Sequence, residues 1–478
     1  METLQPGAHI HLIAVCGVGM APLSGLLQAQ GYRVTGSDQN VYPPMSTYLA
    51  ELRIEVMSGY AAEHLRDRPD LVVVGNAVSR NNPEVEEMLR IGAPYISFPQ
   101  ALGQFLIGDK RSLVVSGTHG KTTTSALMAW VLAKAGREPS FFIGGMPRNF
   151  SGGFQQGSGA WVVLEGDEYD TAFFDKGPKF LHYKAEKVIL TSVEFDHADI
   201  YRDLEHLKSS FRRLTESLPP NGSLLACNEY ESAREVAGAA RCPVVFYGDE
   251  KPEGWSARNI RADGPATWFE PVYNGRADEP VKVAMIGRHN VMNALAVYAT
   301  AKELGLAPAA IREGMATFAG VRRRQELKGE AGGVAVIDDF AHHPTAIEET
   351  IEAVKRAYPG RRVWGIFEPR SNTSRRRFFA HEFPRALARA DRVVVAGVYL
   401  PDKIPIEDRL PAEEVVAEIN RLSGGTKAAL IEQPDAIAHH VADNAARGDV
   451  VLVMSNGGFG GVQEKILRLL REKAAFTV

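Results

Sequence analysis

Short apolar runs alternate with helical patterns from the beginning of the chain. Residues 9–15, 32–38 and 70–78 are β-rich apolar runs. A glycine-rich turn and then a helical pattern follow the first run and the third. Strands that alternate with helices predict a parallel, doubly wound sheet.

The same alternation restarts twice further along the chain. New series of apolar runs begin near residues 111 and 333, and the segment between 243 and 287 is richer in glycine, proline and β-formers. That segment predicts a small antiparallel sheet, and the pattern at 287–305 predicts an amphipathic helix. The fold class is therefore α/β, with three domains that are each built on a mostly parallel sheet. The predicted domains are residues 1–107, 108–320 and 321–478.

Composition narrows the class of protein. The chain has 478 residues, a net charge of −4 and three well-separated cysteines. A small negative net charge does not indicate a nucleic-acid or membrane partner. An odd number of well-separated cysteines is typical of a protein in a reducing compartment. The first residues have no signal-peptide pattern, and no apolar run approaches the roughly 18 residues of a membrane span. We expect a soluble, globular, cytoplasmic protein.

One turn carries a phosphate-loop pattern with a displaced glycine. The usual form is G-x-x-x-x-G-K-[ST]. Residues 117–124 read GTHGKTTT, but the position of the first glycine is Val115, and the nearest glycine is Gly117. An apolar run precedes this turn and a helical pattern follows it, so backbone N–H groups can face an anion at a helix N-terminus. An ordinary strand-to-helix turn is the alternative. The predicted ATP contacts here are Gly117, Thr118, His119, Gly120, Lys121, Thr122 and Thr123.

Further along the sequence from this loop, acidic residues follow two successive apolar runs. Residues 164–170 read LEGDEYD and residues 194–201 read EFDHADIY. Hard oxygen ligands suit Mg²⁺, and a neutral imidazole can add a nitrogen ligand. Carboxylates in such places are also common as helix caps or solvated side chains. Because acidic segments follow two successive apolar runs after a phosphate loop, a magnesium site is the favoured interpretation.

The GTHGKTTT loop resembles the phosphate loop of the Mur ligase family, in which the first glycine is commonly displaced in the same way. The resemblance covers essentially the whole chain, in the correct order. It implies a UDP-binding Rossmann-like domain, a central phosphate-loop ATPase and a Rossmann-like C-terminal domain that presents an amine. The implied reaction is ATP-dependent amide formation. ATP phosphorylates the lactyl carboxylate of UDP-N-acetylmuramate, and the amine attacks the acyl phosphate.

The resemblance also implies roles for individual residues. Lys121, Glu165 and His197 match catalytic positions, and Thr122, Glu165 and His197 match the metal ligands. Asn290 matches an adenine contact, Arg324 an arginine that reaches phosphate, and Asp339 a ribose contact. Arg322 and Arg323 are expected on a solvated face. Several relatives carry a carbamylated lysine where this chain has Phe211, and Lys208 is not a safe substitute. The histidine pair at 342–343 has no cysteine or third histidine nearby, which argues against a transition-metal site.

The N-terminal glycine-rich turn admits a second interpretation. Gly17 and Gly19 begin a dinucleotide pattern, but Pro22 occupies the third glycine position. An NAD(P)-dependent oxidoreductase remains the rival class, although it leaves the GTHGKTTT loop unexplained. A phosphate-loop switch is a third class. By resemblance, the first domain binds the UDP-muramyl substrate instead. Its expected contacts, together with a loop over the sugar, are Gly19, Met20, Ser37, Asp38, Asn76 and Asn149.

The resemblance also distinguishes between two branches of the family that use different amine substrates. Residues 194–201, 338–347 and 367–377 are similar to the branch that joins the tripeptide L-Ala-γ-D-Glu-meso-diaminopimelate to UDP-N-acetylmuramate in recycling of cell-wall peptides. The alternative branch takes L-alanine in peptidoglycan biosynthesis. A tripeptide brings several carboxylates, and guanidinium groups suit carboxylates. We therefore expect Arg370 and Arg375 to contact the peptide, and we expect a monomer, with a weak dimer as the alternative.

Overall fold

The computed structural model describes residues 4–42, 45–248 and 253–475. The chain divides into two compact units, and the second includes two short pieces taken from the first half of the sequence. The first unit comprises residues 1–146, 152–193 and 205–246, and the second comprises 147–151, 194–204 and 247–478. The predicted boundaries after residues 107 and 320 stay a prediction.

A five-stranded parallel sheet opens the first unit. Its order is β3-β2-β1-β4-β5, and every neighbouring pair is parallel. The three predicted strands are confirmed as β1, β2 and β4. The elements are β1 His9–Ile13, α1 Met20–Ala29, β2 Arg33–Asp38, α2 Met45–Glu51, β3 Glu55–Ser58, β4 Leu71–Val74, α3 Pro83–Ile91, β5 Tyr95–Ser97 and α4 Phe98–Ala101.

A second sheet fills the rest of the first unit. Its order there is β14-β13-β12-β6-β9-β7-β8, and the pairs of β6 with β9 and β12 are parallel. Leu113, Val114 and Val115 in β6 are fully buried, as expected of a parallel strand that is covered on both faces. The elements are β6 Arg111–Ser116, α5 Lys121–Lys134, β7 Ser140–Phe142, β8 Phe154–Gln155, β9 Trp161–Gly166, β10 Asp170–Ala172, β11 Asp175–Pro178, β12 Lys187–Leu190, α6 Leu204–Glu216, β13 Ser223–Cys227, α7 Glu231–Ala237 and β14 Val244–Gly248.

The second unit begins with the predicted antiparallel strands, which are confirmed, but they do not form a separate small sheet because β15 also pairs parallel with the end of β14. Strands β15 and β16 pair antiparallel, and β17 and β18 both pair with β16. The predicted helix at 287–305 is confirmed as α8, but its predicted amphipathic character was wrong, because twelve successive residues from Asn290 are buried on all sides of the helix. The elements are β15 Trp255–Asp263, β16 Ala266–Tyr273, β17 Arg276–Ala277, β18 Val281–Val283, α8 Arg288–Glu303 and α9 Pro308–Ala316.

A six-stranded sheet forms the rest of the second unit. Its order is β19-β20-β24-β21-β22-β23, and only β19 runs antiparallel to its neighbour. Helices cover both faces and close two hydrophobic cores. The elements are β19 Glu326–Ala331, β20 Val334–Asp339, α10 Pro344–Ala357, β21 Val363–Phe367, α11 Phe383–Leu387, β22 Arg392–Ala396, α12 Ala412–Ser423, β23 Ala428–Ile431, α13 Pro434–Asn444, β24 Val450–Met454 and α14 Val462–Ala475.

Within residues 4–42, 45–248 and 253–475, every helix is too short or too polar to cross a bilayer. The cytoplasmic location and the monomeric state stay predictions.

Candidate functional site

Two glycines with positive φ shape the loop between β6 and α5. Gly117 has φ 134°, and a Cβ atom there would lie 2.3 Å from Thr191 Oγ1 and 2.7 Å from the Ser192 carbonyl oxygen. Gly120 has φ 79° and lies immediately before α5. A side chain at Gly117 is excluded both by its backbone conformation and by its neighbours. The displaced glycine is therefore the residue that lets the loop lie against the end of β12.

The residues that follow β12 fasten this loop in place. The backbone N–H groups of Thr118 and His119 donate to the carbonyl oxygen and Oγ of Ser192, at 3.0 and 2.9 Å. Thr191 donates through its hydroxyl to the His119 carbonyl. Sequence reasoning missed both residues, because a threonine–serine pair after a strand has no distinctive pattern.

Lys121 lies at the first position of α5 and is held by the loop itself. Its ammonium donates to the Gly117 carbonyl at 2.6 Å and to both carboxylate oxygens of Glu168, at 2.9 and 3.0 Å. Only 14% of the Lys121 side chain and 1% of the Glu168 side chain are exposed. Burial opposes the charged form, but the carboxylates of Glu168 and Asp167 outweigh it and raise the pKa of Lys121. The loop thus contains a fixed positive charge.

Thr122 and Glu165 meet beside this charge. The Thr122 hydroxyl donates to Glu165 Oε1 at 2.7 Å, and the Gly144 N–H donates to Oε2 at 2.7 Å. A hydroxyl and a carboxylate in contact form the hard-oxygen set that Mg²⁺ prefers. These two predicted ligands therefore lie together and fit a magnesium ion at the phosphate loop.

The contact between Thr122 and Glu165 leads to a test of the metal assignment. We expect Glu165→Gln to raise the Mg²⁺ concentration that half-activates the enzyme, because an amide oxygen is a weaker ligand for a hard cation than a carboxylate. The measurement is a Mg²⁺ titration of ADP production, with Glu186→Gln as control, since Glu186 pairs with Arg111 at the other end of β6. A Glu165→Gln titration that superimposes on that of the wild type would remove this residue from the metal site.

His197 lies in the second unit, in the segment 194–204 that follows β12. This segment is tied to the beginning of α10: Asp196 faces His342 Nε2 at 3.5 Å, and the Thr345 hydroxyl donates to Glu194 at 3.0 Å. Burial opposes ionisation of Asp196, but the hydrogen bond from His342 and the charge of His197 hold its pKa well below the usual value. Since Glu165 belongs to the first unit, its shared role with His197 as a metal ligand stays a prediction.

Gln325 joins two of the predicted ATP residues. Its side-chain oxygen accepts from Asn290 Nδ2 at 3.0 Å, and its backbone N–H donates to Asp339 Oδ2 at 2.7 Å. The N–H of Ala341 donates to the other oxygen of Asp339 at 2.7 Å. Burial raises the pKa of Asp339, although Arg324 acts in the opposite direction. Sequence reasoning missed Gln325, which is the next residue after the arginine run.

The three arginines at 322–324 have different environments. The guanidinium carbon of Arg324 lies 4.5 Å from the centroid of the Phe340 ring. Arg322 is exposed, as expected. Arg323 is not on a solvated face: it is partly buried and donates to the carbonyl oxygens of Ser455 and Gly457, at 2.7 and 2.5 Å. The prediction for Arg323 was wrong because these acceptors lie about 130 residues further along the chain.

Several of the predicted UDP contacts have partners within the protein. Asp38 accepts from the N–H groups of Cys16 and Asn40 at 2.9 and 2.8 Å, and Ser37 donates to the buried Glu84 at 2.5 Å. Their role toward the muramyl nucleotide stays a prediction.

The other predicted contacts differ in exposure. A Cβ at Gly19 would lie 2.8 Å from the Phe98 ring, Met20 is buried, and Asn76 is exposed in the loop after β4. Asn149 uses its amide to donate to the Thr317 carbonyl and to accept from the Ala319 N–H. Substrate binding by these residues also stays a prediction.

Arg370 and Arg375 lie in the loop after β21. The Arg370 guanidinium carbon lies 3.8 Å from the centroid of the Tyr399 ring. Arg375 donates to the Tyr399 carbonyl at 3.2 Å and to Asn372 Oδ1 at 2.6 Å. Within residues 4–42, 45–248 and 253–475, Arg375 has no carboxylate partner at ion-pair distance. The two arginines therefore share a contact with Tyr399, and the hydrogen bonds of Arg375 go to neutral acceptors.

The position that matches a carbamylated lysine contains a core residue. Phe211 in α6 is fully buried, and its ring centroid lies 5.7 Å from that of Phe180. Lys208 pairs with Glu205 and Glu235. Neither residue has the environment of a metal ligand.

The phosphate loop, its fixed lysine and the adjacent hydroxyl–carboxylate pair define a nucleotide-binding α/β protein. Comparison with known families identifies the class further. Residues 9–110 match "Mur ligase family, catalytic domain", residues 115–301 "Mur ligase middle domain", and residues 323–457 "Mur ligase, glutamate ligase domain". The chain belongs to the Mur ligase family.

Individual relatives refine this assignment. The chain is 40% identical to the UDP-N-acetylmuramate–L-alanyl-γ-D-glutamyl-meso-2,6-diaminoheptandioate ligase of Escherichia coli, over 98% of this chain and 99% of that protein. It is 36% identical to the UDP-N-acetylmuramate–L-alanine ligase of Kineococcus radiotolerans, over 97% of each. The crystal structure of a murein peptide ligase from Psychrobacter arcticus superposes with a TM-score of 0.70 at 34% identity, and covers 97% of this chain and 99% of that one. The predicted fold class is confirmed.

Proposed function

We propose that this protein is an ATP-dependent ligase that joins the tripeptide L-Ala-γ-D-Glu-meso-diaminopimelate to UDP-N-acetylmuramate. The similarity to the Escherichia coli tripeptide ligase along 98% of the chain is the observation that carries this proposal. The chemistry is amide formation through an acyl phosphate on the lactyl carboxylate. The product would serve the recycling of cell-wall peptides.

The phosphate loop supports the first half of the reaction. The transferred phosphoryl group carries negative charge that must be neutralised as it leaves ADP. The ammonium of Lys121, held by the Gly117 carbonyl and the Glu168 carboxylate, offers a positive charge within the phosphate loop. Magnesium, when bound by Thr122 and Glu165, would supply further neutralisation of phosphate oxygens. Asn290, Arg324 and Asp339 would contact the rest of the nucleotide.

The arginine loop after β21 supports the choice of amine. The tripeptide has several carboxylates, whereas L-alanine has one. A guanidinium has five N–H donors in a planar fork that suits a carboxylate. Arg375 donates its hydrogen bonds to the Tyr399 carbonyl and the Asn372 amide oxygen, and Arg370 stacks on Tyr399 in the same loop cluster. These groups would bind peptide carboxylates distant from the reacting amine.

A competition assay tests the amine directly. With ATP, Mg²⁺ and UDP-N-acetylmuramate, equal concentrations of tripeptide and L-alanine should give mainly the tripeptide product, identified by mass. ADP should appear only with both the amine and the muramyl nucleotide present. ADP release that ignores both substrates would contradict the ligase mechanism. A predominant L-alanine product would instead assign the protein to the alanine-adding branch.

Charge reversal at the arginine loop provides a second measurement. We expect Arg375→Glu to lower kcat/KM for the tripeptide by roughly 10–100-fold, since charged hydrogen bonds contribute about 1.5–3 kcal/mol each. The effect on L-alanine should be smaller. Arg392→Glu is a matched control, because Arg392 is exposed at the start of β22 and donates to the Thr426 carbonyl. Equal losses for both amines would exclude a specific contact between Arg375 and the peptide.

A further inference from the structure

The amide of Asn372 bridges two charged side chains in the second unit. Its Oδ1 accepts from Arg375 Nη2 at 2.6 Å, and its Nδ2 donates to Asp199 Oδ2 at 2.8 Å. Only one orientation of the amide satisfies both partners, because a guanidinium can only donate and a carboxylate can only accept. Asn372 thus connects the loop after β21 with the segment that contains His197.

That segment has a second contact with the same loop. The Ala198 N–H donates to Thr373 Oγ1 at 3.2 Å. His197 has φ 57°, which is uncommon for a residue with a side chain. Its carbonyl accepts from the N–H groups of Ile200 and Tyr201, both at 2.9 Å. The turn at 197–201 is therefore a strained structure whose neighbours on the arginine loop help to hold it.

Arg375 retains donors for a ligand. Of its five N–H groups, one donates to the Tyr399 carbonyl and one to Asn372. The Nε–H is buried and has no acceptor among the described residues. In the part of the chain that the structure describes, one N–H on each terminal nitrogen remains without a hydrogen-bond acceptor, so Arg375 can still donate to a carboxylate.

From these contacts we propose that Asn372 is a positioning residue that couples carboxylate binding at Arg375 to the conformation of the turn at 197–201. The proposal rests on the proposed function, because a peptide carboxylate is the ligand of Arg375. A bound carboxylate restricts the guanidinium, which restricts the Asn372 amide and, through Asp199, the turn. L-alanine has no distal carboxylate and would leave the turn less restrained. The coupling therefore favours reaction of the longer amine through kcat as well as through KM.

Three variants separate the two contacts of Asn372. Asn372→Asp retains an acceptor for Arg375 but places a carboxylate against Asp199. Asp199→Asn removes that charge while retaining an acceptor. In the double variant, the carboxylate at 372 accepts from Arg375 and from the amide at 199, so the bridge is restored with its second hydrogen bond reversed. Asn444→Asp is the matched control, since Asn444 is exposed and donates only to a carbonyl within its own helix.

Kinetics and hydrogen exchange report the coupling independently. We expect Asn372→Asp to lower kcat for the tripeptide about tenfold, as misplacement of a site residue does, and the double variant to recover most of it. In the wild type and the double variant, the tripeptide should slow exchange of the Ala198, Ile200 and Tyr201 amides. It should not do so in Asn372→Asp. Thermal melting checks that each variant is folded.

The outcomes distinguish the coupling from the proposed function. A wild-type enzyme that makes no tripeptide product would overturn both. A wild-type enzyme that makes it, with Asn372→Asp unchanged in kcat and in exchange, would overturn the coupling alone. Failure of the folded double variant to recover either quantity would also overturn it, because Asn372 would then act without Asp199.

Discussion

Lys121→Ala is expected to lower turnover about 10²–10³-fold, because removal of one electrostatic contact to a transition state costs about 3–4 kcal/mol. The side chain is almost fully enclosed and contacts Gly117 and Glu168. Binding of UDP-N-acetylmuramate should change little, since the first sheet is the predicted site for that ligand. Steady-state kinetics and titration of the muramyl nucleotide measure the two quantities.

The same substitution also removes the Lys121 ammonium from its contact with the buried Glu168 carboxylate. Breaking a buried ion pair typically destabilises a protein by about 3–5 kcal/mol. Lys121→Ala with Glu168→Gln should restore much of the stability without restoring turnover, which separates folding from chemistry. Lys134→Ala is the control, because Lys134 is an exposed lysine on the same helix. Turnover that returns together with stability in the double variant would show that the lysine is structural.

Gly117→Ala is expected to have the next largest effect. The new Cβ would lie 2.3 Å from Thr191 Oγ1 and 2.7 Å from the Ser192 carbonyl oxygen, so the loop must move. Displacement of the Thr191 side chain would be costly, because its single hydroxyl hydrogen is shared between the carbonyl oxygens of Ser116 and His119. A displacement near 1 Å at an active site can lower activity roughly 100-fold. Nucleotide titration and turnover should both report the change.

Gly136→Ala provides the comparison for this variant. Gly136 lies just beyond the end of α5 with φ 69°, but a Cβ there would have no atom within 4 Å. The Gly136→Ala variant should lose only the free energy of unfolding that a left-handed backbone costs a residue with a side chain, about 1–2 kcal/mol. Nucleotide affinity should therefore be unchanged in Gly136→Ala. If both variants lose affinity equally, conformational strain rather than the fit of the loop against β12 explains the loss.

The buried strands were predictable from the sequence, whereas the edge strands were not. Strands such as β6 and β24 are continuous apolar runs because helices cover both faces of a parallel sheet. Strand β3 is partly exposed along its whole length and was not predicted. A short strand at a sheet edge buries little surface, so its sequence carries little hydrophobic pattern.

In the candidate site, residues that belong to a local sequence pattern were predictable, whereas residues defined by long-range contacts were not. Lys121 and Thr122 are predictable because a strand, a turn and a helix N-terminus are local features. Ser192 and Gln325 are not, since their partners lie far away along the chain: Ser192 contacts His119, 73 residues earlier, and Gln325 contacts Asn290, 35 residues earlier. Arg323 differs from Arg324 only through its three-dimensional surroundings. The local pattern thus predicts which chemistry is present, and tertiary contacts determine which neighbours support it.

The piece of the second unit at 194–204 has a consequence for protein synthesis. Asp199 leaves the ribosome 173 residues before its partner Asn372. At about 5–20 residues per second, the interval is roughly 10–35 s. During translation, the turn that contains His197 is therefore synthesised before Asn372 and Thr373, which form hydrogen bonds with it. A translational pause between these two positions would prolong the time during which the nascent chain has its first sheets complete while the turn at 197–201 still lacks its partners after β21.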